Sequence, residues 1–428
     1  MNTDSSIRNL LQECFAGVWG TNPNANGGVA VLRSTNFGEE GKLDLSSVVI
    51  RHIDASVLAE KKLRTGDTLL EKSGGGPQQP VGRVVFFDAT FEAVCSNFIQ
   101  VCRPKEANDS RFIFYLLDHL YRAGVMHKFQ QQTTGLINLK LEEFLDLTIH
   151  RPTKNQQEAV ARVLSVVDLA IAETEALLVK RQRIKTGLMH DLLTRGLDAR
   201  GRLRDVSSGT FKRSVFGPIP ESWDVKPLGQ CTQLPITYGI VQAGPHVPGG
   251  VPYIRTGDMD GDELIRESML CTSAELASRF RRSEVRAGEI VCAIRATVGK
   301  VLPVPESLDG ANLTQGTARI SPNSSTHGRF LLWSLRAYRT QQEISLQSKG
   351  TTFSEITLTD LRKTPVVMPR DFKEQVDIAK IIDESDEALR KTRASLGKLK
   401  RTKSGLMHDL LSGRVPVTPL LSNSPTLT

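Results

Sequence analysis

Asp54 followed by Glu60-Lys61-Lys62 is a loose version of the carboxylates and lysine with which metal-dependent nucleases hold divalent ions. The match is short. The segment that answers it later in the chain has Arg282 where Glu60 stands, which favours a solvated surface over a metal site. His190-Asp191 and His408-Asp409 each set an imidazole beside a carboxylate, but consecutive helical residues point apart. That denies them an acid–base role and leaves packing or a partner contact. Gly41-Lys42, Gly299-Lys300 and Gly397-Lys398 lack the hydroxyl and upstream glycine of a phosphate-cradling loop. No GxGxxG occurs, and no Asn-Pro-Pro-aromatic run of the kind an adenine methyltransferase carries around a flipped base. No catalytic constellation emerges.

What remains is charge. SRFRRSEVR (278–286) sets Arg279, Arg281, Arg282 and Arg286 around one glutamate, and the matching stretch earlier in the chain holds Lys61, Lys62 and Arg64. Basic clusters are commonly solvated faces. Their recurrence beside a Gly-Asp or Gly-Glu strand instead points to phosphate or guanine contact, with nearby Gly/Thr loops allowing close backbone approach. The whole chain carries a net charge of +8 and a pI near 9.2, which suits a polyanionic partner without demanding one. Hydrophobic residues at 39% are enough for packed cores in 428 residues, and no run approaches the length of a membrane span. The first ten residues show no secretory pattern, and the six cysteines stand singly, without a CxxC pair. A reduced cytosolic setting is expected, with neither zinc nor a disulfide framework.

The elements that would position these residues are set by an internal repeat. KTGLMHDLLTRG (185–196) and KSGLMHDLLSGR (403–414) share seven identical residues, Gly187–Leu193 and Gly405–Leu411, at an offset of 218. The offset runs back unbroken to Gln157 and Gln375. Upstream, at an offset of 222, VLRSTNF (31–37) answers YIRTGDM (253–259), GDTLLEKSGGG from Gly66 answers GEIVCAIRATVGK from Gly288, and Gly17 answers Gly239. The order is module, helix, module, helix.

The helices are the clearest local elements. Positions 160, 164, 167, 171, 174, 178, 181, 185, 188 and 192 alternate steps of four and three, as do their counterparts from 378 to 410, which is the seam of a coiled coil. Thr153 with Gln156, and Asp371 with Glu374, read as capped starts, and Gly196 and Gly413 as ends. Two matched helices of about 38 residues, each near 57 Å at 1.5 Å per residue, are expected to pack antiparallel. The modules mix strands (VGRVVFF, FEAVCSNFIQV, EIVCAI, KTPVVM) with helices (RFIFYLLDHLYRAG, GRFLLWSLRAYRTQQ).

At this level the chain resembles the specificity subunit of a type I restriction-modification system, over essentially its whole length. The helix ends GLMHDLLTRG and GLMHDLLSGR carry the resemblance most specifically. GPIPESWDVKPLGQ opening the second module, the basic strand patterns Gly66–Arg83 and Gly288–Lys300, and the Gly-Thr loops support it. The first module lacks an equivalent of GPIPESW. The resemblance implies an α+β fold in which two mixed α/β target recognition domains are joined by two long helices forming an antiparallel coiled coil, with a pseudo-twofold internal repeat. The segments are 1–151 (first recognition domain), 152–205 (central spacer), 206–368 (second recognition domain), 369–414 (C-terminal spacer) and 415–428 (tail). Each domain would read one half of a bipartite target in double-stranded DNA.

The candidate DNA contacts are Arg33, Lys61, Lys62, Arg64, Lys72, Thr133 and Thr134 in the first domain. In the second they are Tyr238, Arg255, Arg279, Arg281, Arg282, Arg295, Lys349, Thr351 and Thr352. Leu188, Met189, His190, Leu406, Met407 and His408 are the candidate contacts to two modification subunits. The resemblance places S-adenosylmethionine, ATP and magnesium on modification and restriction subunits and none on this chain. Two other readings stay open: the specificity subunit of a system whose partner fuses methylation and cleavage, and a coiled-coil scaffold that never touches DNA.

Overall fold

The computed structural model describes residues 4–23, 27–76, 79–133, 135–208, 210–350 and 354–417. Four helices frame the chain: α1 (Ser110–Arg122), α2 (Lys154–Leu192), α3 (Gly328–Arg336) and α4 (Phe372–Leu411). Thr153 starts α2, its N–H and Oγ1 both donating to Gln156 Oε1, at 3.0 and 3.1 Å. Asp371 accepts from the Lys373 N–H at 2.9 Å ahead of α4. Beyond the helices, Gly196 and Gly413 take positive φ of 64° and 72°. The chain folds as two compact units, the first of them discontinuous in sequence. One holds the residues up to Ala176 and those from Ala394, the other holds Leu177–Arg393.

In the first unit, a four-stranded antiparallel sheet runs Leu11–Ala16, Ile99–Pro104, Thr68–Glu71, Val84–Phe86. A second sheet pairs Val29–Leu32 antiparallel with Val49–Arg51 and parallel with Ala93–Cys95. The α1 helix is started by Asp109, whose carboxylate accepts from Phe112 N–H at 2.8 Å. It buries Phe112, Phe114, Leu116 and Leu117 against the sheet and against Val160 and Leu164 of α2. Each such side chain contributes about 1.5–3 kcal/mol. The α4 part of this unit covers the same core with Met407, Leu410 and Leu411. Lys403 pairs with Asp168 at 2.8 Å and Lys400 with Glu175 at 2.8 Å, so numbering rises along one helix as it falls along the other.

The second unit repeats this topology. Its four-stranded sheet runs Thr237–Tyr238, Thr317–Ile320, Ile290–Ala293, Val301–Pro303, and Val251–Ile254 pairs parallel with Asn312–Leu313. Lys185 pairs with Asp386, and Arg181 Nη1 donates to Ala388 O at 2.8 Å, again antiparallel. Lys185 lies 218 residues before Lys403, and Asp386 lies 218 residues beyond Asp168, so the two ion pairs are repeat equivalents. Buried Gln157 takes the Asp109 N–H and buried Gln375 the His327 N–H, tying each long helix to α1 or α3 in the same way. Gly17 and Gly239 match because a Cβ there would meet a carbonyl oxygen, of Cys95 at 2.0 Å or Leu313 at 1.9 Å.

Two expectations need correction here. Glu374 does not close a cap with Asp371. It is buried, and its carboxylate accepts from Arg204 Nη2 (2.9 Å), Trp223 Nε1 (3.0 Å) and the Leu197 N–H (2.9 Å). The stretch GRFLLWSLRAYRTQQ is not one helix either: Ala337 is extended (φ −63°, ψ 141°), separating α3 from a helix over Tyr338–Gln347.

Candidate nucleic-acid interface

In each unit one loop gathers the ends of three strands. In the second unit it is Leu313–Thr317. Ile240 N–H donates to Leu313 O (2.7 Å), Thr314 N–H to Ile254 O (3.1 Å) and Ile294 N–H to Gly316 O (2.9 Å). These bonds bring Tyr238, Arg255 and Arg295, each next to or near a bonded residue, around the loop. Lys349 joins them through Glu355, which bridges antiparallel to both Lys349 and Arg295. In the first unit the loop is Cys95–Ile99. Val18 N–H donates to Cys95 O (2.7 Å), Ser96 N–H to Leu32 O (2.8 Å) and Lys72 N–H to Phe98 O (3.0 Å), which assembles Arg33, the counterpart of Arg255, with Lys72, one residue before the counterpart of Arg295.

The arginine cluster lies elsewhere. Arg279 ends the helix Ala274–Arg279, and Arg281 and Arg282 follow in a single turn over Arg281–Ser283. Val285 N–H then reaches Ala311 O at 2.8 Å, as Leu63 N–H, between Lys62 and Arg64, reaches Ala93 O at 2.9 Å. These groups therefore stand at the starts of the strands whose ends lead into the gathering loops, and a three-residue strand spans about 10 Å. The candidates form two patches per unit, not one.

Their electrostatic surroundings differ. Arg255 is held by Asp258 through Nε (3.0 Å) and Nη2 (2.7 Å), which raises its already high pKa. Arg33 Nη2 donates to Ser47 O at 3.0 Å. Arg279 pairs with Glu275 at 2.6 Å, Lys62 with Glu92 at 2.6 Å, and Lys61 with Glu60 at 2.9 Å while lying over the Phe15 ring. Such exposed pairs contribute at most about 1 kcal/mol and yield readily to a phosphate. Arg64, Arg281 and Arg282 are exposed, Lys72 is half-buried, and none has a carboxylate within 4.0 Å among the described residues. Tyr238 is exposed. Thr133 lies in the strand Gln130–Thr133 opposite Leu136, and Thr134, Thr351 and Thr352 lie outside the described residues.

If Arg281 and Arg282 meet DNA phosphates, the R281A/R282A chain should bind duplexes of every sequence more weakly. Its log–log salt slope should fall by about 1.8, near 0.9 per contact. Binding titrations from low to moderate salt check this, and an unchanged slope assigns both arginines to solvent.

The last residues of the basic strand patterns turn out to be internal clamps that sequence reasoning left undetected. Arg83 pairs with buried Glu71 at 2.9 Å and donates to Ser34 O at 3.1 Å, while Lys300 Nζ donates to Asp260 O at 2.7 Å. Both hold the turn that follows Arg33 or Arg255. Their equivalence under the repeat was the available signal.

The helix-end candidates divide as well. His190 is exposed, Leu188 and Met189 are partly buried against the second unit's core, and Leu406 is partly buried against the first unit's core. His408 lies 5.9 Å from His119, ring to ring. Met407 is only 2% exposed within its own unit's core, which corrects its assignment as a partner contact: its side chain serves packing. Among the described residues no group of three or more His, Cys, Asp or Glu is placed to hold a metal, and no helix is long and apolar enough to cross a membrane.

Comparison with known proteins gives one consistent result. Residues 21–181 and 220–399 match the type I restriction modification DNA specificity domain. The chain is 24% identical over 386 residues to the putative type I restriction enzyme MjaX specificity subunit of Methanocaldococcus jannaschii, covering 88% of this chain and 85% of that one. It is 25% identical over 341 residues to the type I restriction enzyme EcoBI specificity subunit of Escherichia coli, covering 74% and 70%. Its fold resembles the crystal structure of the type I restriction-modification system S subunit from M. genitalium, with a TM-score of 0.58, 16% identity and 96% of both chains covered. A structure described as the basis of complex assembly and conformational transition of the type I system gives a TM-score of 0.54 at 17% identity, covering 96% and 98%.

Proposed function

Because the chain belongs to the type I restriction modification DNA specificity family, we propose that it selects the DNA sequence on which a type I restriction-modification complex acts. Each module reads one half of a bipartite target, and the two long helices set the separation of the half-sites. The observation that carries this is the double match: both halves of one chain fit a DNA specificity domain, and both fold with the same strand order and the same gathering loop. The scaffold alternative draws no support from it.

The chain docks two modification subunits, which bring S-adenosylmethionine and adenine methylation. Restriction subunits supply ATP- and magnesium-dependent translocation and cleavage, in the cytoplasm. The exposed parts of the two GLMHDLL helix ends are the docking candidates, since the same heptapeptide recurs where each unit would meet one copy of the same partner. Methyl transfer to duplex DNA should require the modification subunit. A labelled-methyl assay with the chain alone, the partner alone and both together checks it, and transfer by the chain alone would overturn the reading.

A further inference from the structure

The strand ends around the two gathering loops differ in a way that bears on what each module reads. In the first unit Ser73 pairs with Asn138, and Asn138 pairs with Gln131 on its other side. In the second unit Arg295 pairs with Glu355, and Glu355 pairs with Lys349. The two triplets occupy the same topological place. Leu139 N–H donates to Lys72 O next to the first (2.8 Å), and Ile356 N–H to Ile294 O next to the second (3.0 Å). Residues directly opposite across strands project to one face. Each module thus presents a three-residue rung, Ser-Asn-Gln in the first and Arg-Glu-Lys in the second.

We propose that these rungs are specificity-determining elements, the first contacting an A·T pair and the second a G·C pair. This rests on the reading of the modules as DNA-recognition domains. The first rung is uncharged. Its exposed Gln131 carboxamide offers both the donor and the acceptor that match adenine N7 and N6 in the major groove. The second is ionic. Glu355 Oε1 takes Nε and Nη2 of Arg295, each at 2.9 Å, which fixes the guanidinium plane and leaves Nη1 outside that pair, a fork of the kind that suits guanine O6 and N7. Arg295 and Glu355 are 43% and 47% exposed in their side chains, Gln131 and Lys349 are exposed, and Ser73 and Asn138 are half-buried, so each rung is reached through its exposed members. Local backbone reinforces the second: Ala296 holds a φ of 59° where the first module has Gly74, and its N–H is anchored on Ser354 O at 3.0 Å. A strained non-glycine turn directly after Arg295 keeps the arginine's Cα in place.

The test selects targets from a randomised duplex library with the full chain and its modification subunit. The wild type should return a bipartite sequence. The variant R295S/K349Q/E355N, which gives the second rung the first rung's composition, should return the same first half and a second half in which one G·C position has become A·T. R295K, which keeps the charge but loses the planar fork, should relax that one position by roughly 10- to 100-fold with an unchanged salt slope. Recovery of the wild-type sequence by both variants would overturn the rung assignment while leaving the modules as readers of DNA. So would uniform weakening across all sequences in R295K. A wild type that returns no bipartite sequence would overturn both readings.

Discussion

Replacing Lys403 by methionine is expected to destabilise the first unit by about 3 kcal/mol, toward the low end for breaking a buried ion pair. Its ammonium is buried in the helix seam, 4% exposed, 2.8 Å from Asp168 and 3.0 Å from Glu40. Asp168 also accepts from Tyr115 Oη at 2.6 Å, so one lysine joins α4, α2 and, through that tyrosine, α1. Methionine keeps the length, removes the cation that Asp168 and Glu40 share, and leaves Glu40 only Arg122 at 3.5 Å. The effect stays at the low end because both carboxylates keep 22% of their side-chain surface. Amide hydrogen exchange should show protection lost across the first unit, and D168N added to K403M should restore part of it. Equal exchange in K403M and wild type would remove the lysine from any stabilising role.

The pH dependence follows from the same site. Burial disfavours ionised Glu40, but the hydrogen bond and charge of Lys403, with Arg122 beyond, outweigh it and hold this carboxyl below the usual range. A lowered carboxyl pKa adds stability that is present above the unfolded value and lost as pH falls through the folded one. The gap in stability between wild type and K403M should therefore narrow on acidification.

Glu374→Ala should cost more, about 4 kcal/mol, and act on the second unit. The carboxylate is 7% exposed and its oxygens satisfy Arg204, Trp223 and the Leu197 N–H together. Alanine leaves the Arg204 guanidinium, 16% exposed, without its counter-charge and strands the buried indole N–H. Because these donors lie 151 to 177 residues away in sequence, the loss should loosen the 195–204 segment and the start of the second module together. Glu374→Gln, which can still accept from the indole and the amide, should lose distinctly less. Thermal unfolding read with exchange at Leu197 checks both variants. Equal losses in the two would mean that Arg204 does not depend on the charge.

Periodicity was enough to place the buried faces of the long helices. Val160, Leu164 and Ile171, and Ile378, Ile382 and Leu389, are all buried as the seam required. Nothing local revealed that Lys403 meets Asp168 and Lys185 meets Asp386, because that depends on the register of two helices more than 200 residues apart in sequence. Glu374 shows the converse. Its position three residues after Asp371 matches a capping pattern, but Trp223 and Arg204 supply stronger donors and take the carboxylate away. Gly17 and Gly239 were visible as matched glycines, while the cause, a carbonyl at about 2 Å from any Cβ, exists only in three dimensions. For the candidate site, residue type marked Arg295 and Lys349. Glu355, Ser73, Asn138 and Gln131 went unnoticed because a polar residue in a short strand carries no signal until its opposite neighbours are known. Arg83 and Lys300, conspicuous as basic residues, are drawn inward by Glu71 and by Asp260 O.

The central claim, two modules reading two half-sites through one chain, is tested most directly by sequencing the methylated bases of cells that carry this chain with its modification subunit. The expected result is a single target made of two specific parts separated by an unspecified gap of fixed length, with methylation lost when the chain is absent. Exchanging the 206–368 segment for that of a related chain should change the second part and leave the first part and the gap as they were. A continuous target, or one whose two parts both change on that exchange, would contradict the account.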